Sequence, residues 1–205
     1  MTADYNAARA YAFEYMDQRL PPGLAYHGLS HTRDQVLPAV ELFCRDMDIA
    51  RHEQILVATA AVFHDIGFVR RYSENEEIGA ALAASILPDF GYDTSDIVTV
   101  RRLILATAIP HKPETVLAEI LCDADLVSLG QDIFFESSMM LRRERMTFLR
   151  PVALKSWLEE QYTFLVTHRY HTVAARTHLN EGKEKNMKEL RQVLHCSQPS
   201  GRVHE

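Results

Sequence analysis

The sequence predicts an all-α fold, and three observations carry that reading. Apolar residues recur three and four positions apart through most of the chain, the spacing that lines one face of a helix. No stretch alternates apolar and polar residues as a half-buried strand would. Proline and glycine fall between the periodic runs, at Pro21-Pro22-Gly23, at Pro88 and Gly91, and from Pro110 to Pro113, where they stop helices. No internal repeat, low-complexity block or Gly/Ser-rich linker interrupts the 205 residues. The expectation is one compact helical bundle over 1–195, followed by a disordered tail over 196–205.

The first helix is expected from Ala3 to Leu20, with Ala7, Ala10, Tyr11 and Phe13 at helical spacing. The second runs from about Thr32 to Met47 and carries Val36, Val40 and Phe43. Pro38 lies inside it, so this helix either begins late, with Pro38 in its first turn, or is kinked there. The third, Arg51 to Phe68, is apolar all round between Ile55 and Phe63, which implies burial at the centre of a bundle. It ends on His64-Asp65-Ile66-Gly67, a strongly polar pair at the end of a buried helix. A fourth helix covers Glu74 to Leu87. Asp93 or Thr94 caps a fifth, which carries Ile97, Val100, Leu103 and Ile104. Beyond the loop Pro110-His111-Lys112-Pro113, helices are expected over Thr115–Leu129, Ile133–Leu149 and Val152–Tyr170, with Pro151 at the first-turn position of the last. A charged helix over Glu181–Leu194 completes the set.

Charge and composition exclude several classes. The chain has 22 Lys+Arg against 28 Asp+Glu, a net charge of −6, and no basic stripe, so nucleic acid is excluded as a primary partner. No apolar run approaches the roughly 18–20 residues of a membrane span, and the first twenty residues lack the pattern of a signal peptide. Cys44, Cys122 and Cys196 are odd in number and have no C-x-x-C spacing, which argues against a disulfide framework or a thiolate zinc site and leads to the expectation of a cytoplasmic protein. Met139, Met140 and Trp157 leave a homo-oligomeric interface open, although core packing is their expected use. What stands out is ten histidines.

Three clusters set imidazole or carboxylate beside apolar helix: Tyr26-His27-Gly28-Leu29-Ser30-His31-Thr32, Phe63-His64-Asp65-Ile66-Gly67 and Cys122-Asp123-Ala124-Asp125-Leu126. Burying such groups without partners is costly. One divalent cation resolves that cost for all of them, and mixed imidazole and carboxylate ligands suit Mn, Fe, Co, Ni or Zn rather than Ca. Each cluster also has a purely structural reading: a hydrogen-bonded helix end for His64-Asp65, a cap or solvated turn for Asp123 and Asp125, and an exposed turn for His27 and His31.

The order His31, then His64-Asp65, then Asp125, with "ATAAVFHDIGF" and "LCDADLVSLG" as local texture, resembles the HD superfamily of metal-dependent phosphohydrolases. The resemblance spans about Tyr26 to Gly130 and implies an HD-type bundle. It implies His31, His64, Asp65 and Asp125 as ligands of a divalent metal (Mn, Fe, Co, Ni, Zn or Mg), one per chain, with Asp123 as the competing carboxylate. It further implies hydrolysis of a phosphate ester of a nucleotide or similar small molecule by a metal-activated water, with Asp65 able to orient that water. Tyr26-His27 and His31 also resemble the segment of cyclic-nucleotide phosphodiesterases in which the earlier histidine protonates the leaving oxygen, which makes His27 the candidate acid. The two-metal, cyclic-dinucleotide branch carries histidines where this chain has Asn75 and Thr107, so a second metal held that way is not expected. Arg70 and Arg71, followed by Lys112 and Arg33, are the candidate cations for a phosphate, and His111 is a candidate pocket residue. The stretch from His168 to Thr172, with Arg176 and Lys183, is expected to form surface or a lid. Two other functions compatible with the resemblance are an HD-fold di-iron oxygenase, which Asn75 disfavours, and a non-catalytic nucleotide-binding regulator.

Overall fold

The computed structural model describes residues 3–196, all of whose regular elements are helical. Residues 197–205 of the expected tail lie outside the described residues, and Cys196 closes the final helix.

Helix α1 (Tyr5–Arg19) starts where the Asp4 side chain accepts the Ala7 N–H at 3.0 Å, and it buries Ala8, Ala12 and Met16 along one stripe. The stretch around Pro38 resolves into two pieces. A π-helical turn, His31–Val36, comes first, with the Leu37 N–H bonded to the Thr32 carbonyl five residues back; α2 (Leu37–Asp46) follows with Pro38 in its first turn. Proline has no N–H and presses on the carbonyl four residues before it, so the wider turn relieves both conflicts. That turn also carries His31 inward, where it is 1 % exposed.

Helix α3 (Arg51–Phe63) is the central element. Every residue from Leu56 to Phe63 is buried, and it packs on α1, α2, α5 (Thr94–Ala106) and α6 (Val116–Asp125). It ends at Phe63 rather than at the expected Phe68. His64 and Asp65 form a turn into a 3-10 segment, Ile66–Val69. The cause is a close approach of backbone: a Cβ on Gly67 would sit 1.9 Å from the carbonyl oxygen of Asn75, the first residue of α4 (Asn75–Ile86). Only glycine lets the turn and the start of α4 meet.

The later helices depart from expectation in instructive ways. The segment expected as one helix over Thr115–Leu129 divides into α6 and a 3-10 turn, Val127–Gly130. Helix α7 spans Phe134–Phe148 and α8 spans Leu154–Thr167. Pro151 therefore lies before α8 and not in its first turn; Arg142 takes the Val152 carbonyl at 2.7 Å, so that group does not begin a helical ladder. Helix α9 runs from Val173 to Cys196, eight residues earlier than expected. Its start is set from a distance, because Asp123 on α6 accepts the N–H groups of His171 and Thr172 at 2.8 and 2.7 Å and the Thr172 hydroxyl at 2.8 Å. Thr172 in turn caps the helix through the Ala175 N–H.

Most of the buried apolar side chains form one contiguous cluster. Trp157 belongs to the interior, fully buried with its indole N–H donated to Ser138, whereas Met139 and Met140 are exposed. No helix among the described residues is long and apolar enough to cross a membrane. Cys44, Cys122 and Cys196 are free thiols.

Candidate metal centre

Three chain segments bring four side chains together beside α3. The π-helical turn supplies His31, the turn after α3 supplies His64 and Asp65, and the end of α6 supplies Asp125. His31, His64 and Asp65 are buried, and their ligand atoms lie within 4.8 Å of one another. Asp125 joins them: its Oδ1 is 3.0 Å from His31 Nε2 and 3.4 Å from His64 Nε2. Asp65 Oδ2 is 3.2 Å from His64 Nε2 and 3.9 Å from His31 Nε2.

The hydrogen bonding around His64 gives this cluster its chemistry. Its Nδ1–H donates to the Ala61 carbonyl at 2.7 Å, so in the neutral ring Nε2 is an acceptor. That nitrogen faces two carboxylates, yet His64 Nε2 and Asp65 Oδ2 are both buried without a hydrogen-bond partner, as is His31 Nδ1. Acceptors facing one another in a buried space require a cation between them, either a proton or a metal ion. Burial opposes charge on His64, but Asp65 and Asp125 outweigh it and hold the imidazole well above its ordinary range. Burial likewise opposes charge on both carboxylates. His64 is the main influence that brings Asp65 below its usual range, and the hydrogen bond with His31 and the nearby His64 imidazole bring Asp125 well below. The donor set, two imidazoles and two carboxylates, fits a divalent transition metal.

Asp123 takes no part in this cluster. It is fully buried, and its oxygens are consumed by the start of α9, so of the two aspartates in the motif Asp125 is the one that faces His31 and His64.

His27 sits at the edge of the same site, held by a residue the sequence did not single out. Glu144 on α7 is completely buried; its Oε1 accepts from His27 Nδ1 at 2.5 Å, and its Oε2 accepts the backbone N–H groups of Tyr26 and His27 at 2.9 and 3.0 Å. The ring stacks on Phe68 with centroids 4.6 Å apart. Burial works against a charge on His27, but Asp65 and Glu144 prevail and raise its pKa. A signal for Glu144 existed: with Phe134, Ser137 and Ser138 it falls on the buried face of α7, an acid where that helix turns inward.

A cavity of about 320 Å³ opens beside Asp125 and His27. Leu126, Leu129, Phe134, Leu141, Trp157 and Phe164 contribute apolar wall, with Tyr26, Ser128 and Gln161 among its polar points. Its one lysine or arginine is Arg145, which pairs with Glu160 at 2.9 Å and lies over the Trp157 ring. The cations expected to meet a phosphate are elsewhere. Arg70, Arg71 and Lys112 are exposed and do not line this cavity; Arg71 pairs with Glu74, and Arg33 pairs with its neighbour Asp34. In each case the charge stays on a solvated turn because nothing buried compensates for its dehydration. His111 does approach the cluster, with Nε2 4.0 Å from Asp125 Oδ2, while bonding to the Thr107 carbonyl at 3.1 Å. Burial lowers its pKa. Asn75 is buried with its backbone against Gly67, and the Thr107 hydroxyl is spent on the Ile104 carbonyl.

Compared with known proteins, the chain matches no family model, no curated protein and no solved structure.

Proposed function

We propose that this protein is a metal-dependent phosphohydrolase that cleaves a phosphate ester of a small molecule, with a nucleotide-like ester as the leading substrate class. The observation that carries the reading is the convergence of His31, His64, Asp65 and Asp125, in which His64 Nε2 and Asp65 Oδ2 are buried without partners. These four residues would hold one divalent cation. Such an ion supplies Lewis acidity toward a phosphoryl oxygen and toward an attacking water.

The chain's own groups account for the remaining steps. His64 is oriented by its bond to the Ala61 carbonyl, so its acceptor nitrogen needs no reorganisation to bind a cation. Asp65 and Asp125 neutralise the positive charge. His27 presents Nε2 as its uncommitted ring nitrogen, because Glu144 occupies Nδ1. Glu144 favours a proton on this ring, which His27 would donate from Nε2 to the departing ester oxygen. The cavity beside His27 has mostly apolar walls, which suit the organic part of the ester, and Tyr26, Ser128 and Gln161 offer hydrogen bonds for orienting it.

The test is metal analysis of the purified chain followed by a phosphate-ester panel assayed with Mn, Mg, Co, Ni, Fe and Zn in turn. One ion per chain and ester hydrolysis, both lost in His64→Ala/Asp65→Ala, support the reading. A chain that takes up no metal on reconstitution, or a double variant that keeps metal and activity, overturns it.

A further inference from the structure

Next to the first cavity lies a second, also of about 320 Å³, and the two share Ile109, Leu126 and Phe164. Their linings differ in charge. The first includes the carboxylates of Asp125 and Glu160, whereas the second is lined by His111, His168, Arg169 and His171 and by no carboxylate. Asp123, behind the His171 backbone, has its oxygens occupied by the His171 and Thr172 N–H groups and the Thr172 hydroxyl. His111 forms the partition toward the candidate metal centre, 4.0 Å from Asp125.

The donors of this second cavity are held in place by the loop between α8 and α9. Arg169 Nη1 donates to the Val166 and His168 carbonyls at 2.6 and 2.7 Å, which fixes the guanidinium and leaves its Nε–H and Nη2 hydrogens without acceptors among the described residues. His168 Nδ1 is buried and has no hydrogen-bond partner. The His171 ring has none among the described residues, although its backbone is anchored by Asp123. Behind the wall, Lys183 donates to the His168 carbonyl at 2.6 Å. Burial, followed by the charges of Lys183, His111, His171 and Arg169, holds His168 down to about 3, and burial with the neighbouring Arg169 holds Lys183 down to about 8.

We propose that this second cavity is an anion subsite that binds a phosphate-class oxyanion, and that in catalysis it receives a second, non-scissile anionic group of the substrate. The placement rests on the phosphohydrolase reading, since it sets the subsite one imidazole away from the group being cleaved. The oxyanion chemistry does not: fixed guanidinium N–H groups and unpaired imidazoles in a cavity without carboxylates are complementary to phosphate whatever the metal centre does.

Two measurements separate these parts. In the first, inorganic phosphate and then pyrophosphate are titrated by calorimetry into the full chain after chelation of metal. Binding is expected, weakened about tenfold or more by Arg169→Ala and by His171→Ala, the loss of one charged hydrogen bond. The His171 ring has no hydrogen-bond partner among the described residues, so its removal is expected to leave the fold intact, and circular dichroism verifies this for both variants. Absence of phosphate binding by the wild-type chain, or unchanged affinity in folded His171→Ala and Arg169→Ala, overturns the subsite. The second measurement compares KM for a nucleoside monophosphate with that for the matching 3′,5′-bisphosphate. A KM about tenfold lower for the bisphosphate, abolished by Arg169→Ala, assigns the subsite to substrate. Equal KM values alongside intact phosphate binding overturn that assignment and leave free phosphate as the ligand. Phosphate binding with no hydrolysis of any ester overturns the phosphohydrolase reading alone.

Discussion

Replacing Glu144 with alanine removes the acceptor for three hydrogen bonds in one step. The Tyr26 and His27 N–H groups lose partners at 2.9 and 3.0 Å, and His27 Nδ1 loses its contact at 2.5 Å. Since Glu144 is completely buried, no water takes its place without entering the interior. Breaking a buried pair by deleting one partner costs about 3–5 kcal/mol. For a chain of this length each kcal/mol lowers Tm by about 2–4 °C, so Glu144→Ala should melt roughly 6–20 °C below the wild type. Glu144→Gln keeps an oxygen for the two backbone donors and loses mainly the charged contact to His27. Its cost is about 1–2 kcal/mol, a fall of roughly 2–8 °C. Burial raises the pKa of Glu144, but the His27 interaction and the two backbone bonds outweigh it, so the net shift is downward. Its stabilising contribution is therefore present above the unfolded carboxylate range and lost as pH falls through the lowered native value, and the deficit of Glu144→Ala should shrink in acid. Thermal melts by circular dichroism on metal-free protein, from neutral to acidic pH, read all three quantities. An alanine variant melting within about 2 °C of wild type, or a glutamine variant falling as far as alanine, would refute the argument that this carboxylate anchors the Tyr26-His27 segment.

Other consequences are open to measurement. His64 is held well above its ordinary range in the metal-free cluster, so its contribution to stability is present below the unfolded imidazole range and lost as pH rises through the native value. A metal bound there would have to displace the same proton; affinity for Mn or Zn should rise as pH climbs above the ordinary imidazole range, and a flat profile by calorimetry contradicts this. Gly67→Ala, whose Cβ would overlap the Asn75 carbonyl at 1.9 Å, should lower Tm by roughly 5 °C or more and weaken metal uptake, because the turn bearing His64 and Asp65 must shift. Asp123→Asn should destabilise the chain by about 1–3 kcal/mol while retaining metal, and Asp125→Asn should lose metal. The reverse pattern in metal analysis would exchange the roles assigned to the two aspartates.

The fold was legible where periodicity and local capping decide structure. The apolar run from Ile55 to Phe63 marked the central helix, and Asp93 capped α5 as its position suggested, through the Asp96 N–H at 2.9 Å. What escaped was set by partners distant in sequence. The early start of α9 depends on Asp123, about fifty residues before it, and the break after Phe63 depends on the contact between Gly67 and Asn75. For the candidate site, the three clusters stood out because each adjoins an apolar helix, and His31, His64, Asp65 and Asp125 were picked out of them as a set by the resemblance to the HD superfamily. Glu144 was marked only by its place on the stripe of Phe134, Ser137 and Ser138, and an acid among arginines looks solvated until the Tyr26-His27 segment is known to pack against it.

By itself, then, the sequence determined that this protein is helical, which helix is central, and where imidazole and carboxylate adjoin apolar helix. Those properties follow from side-chain periodicity and the cost of dehydrating charge, which act along the chain. Only the tertiary structure decided that Asp125 faces the histidines while Asp123 turns to α9, that Glu144 orients His27, and that the basic loop from His168 to His171 borders a cavity free of carboxylates beside the cluster. Hydrogen bonds reach about 3 Å, so which donor meets which acceptor is settled only once packing has brought distant segments together.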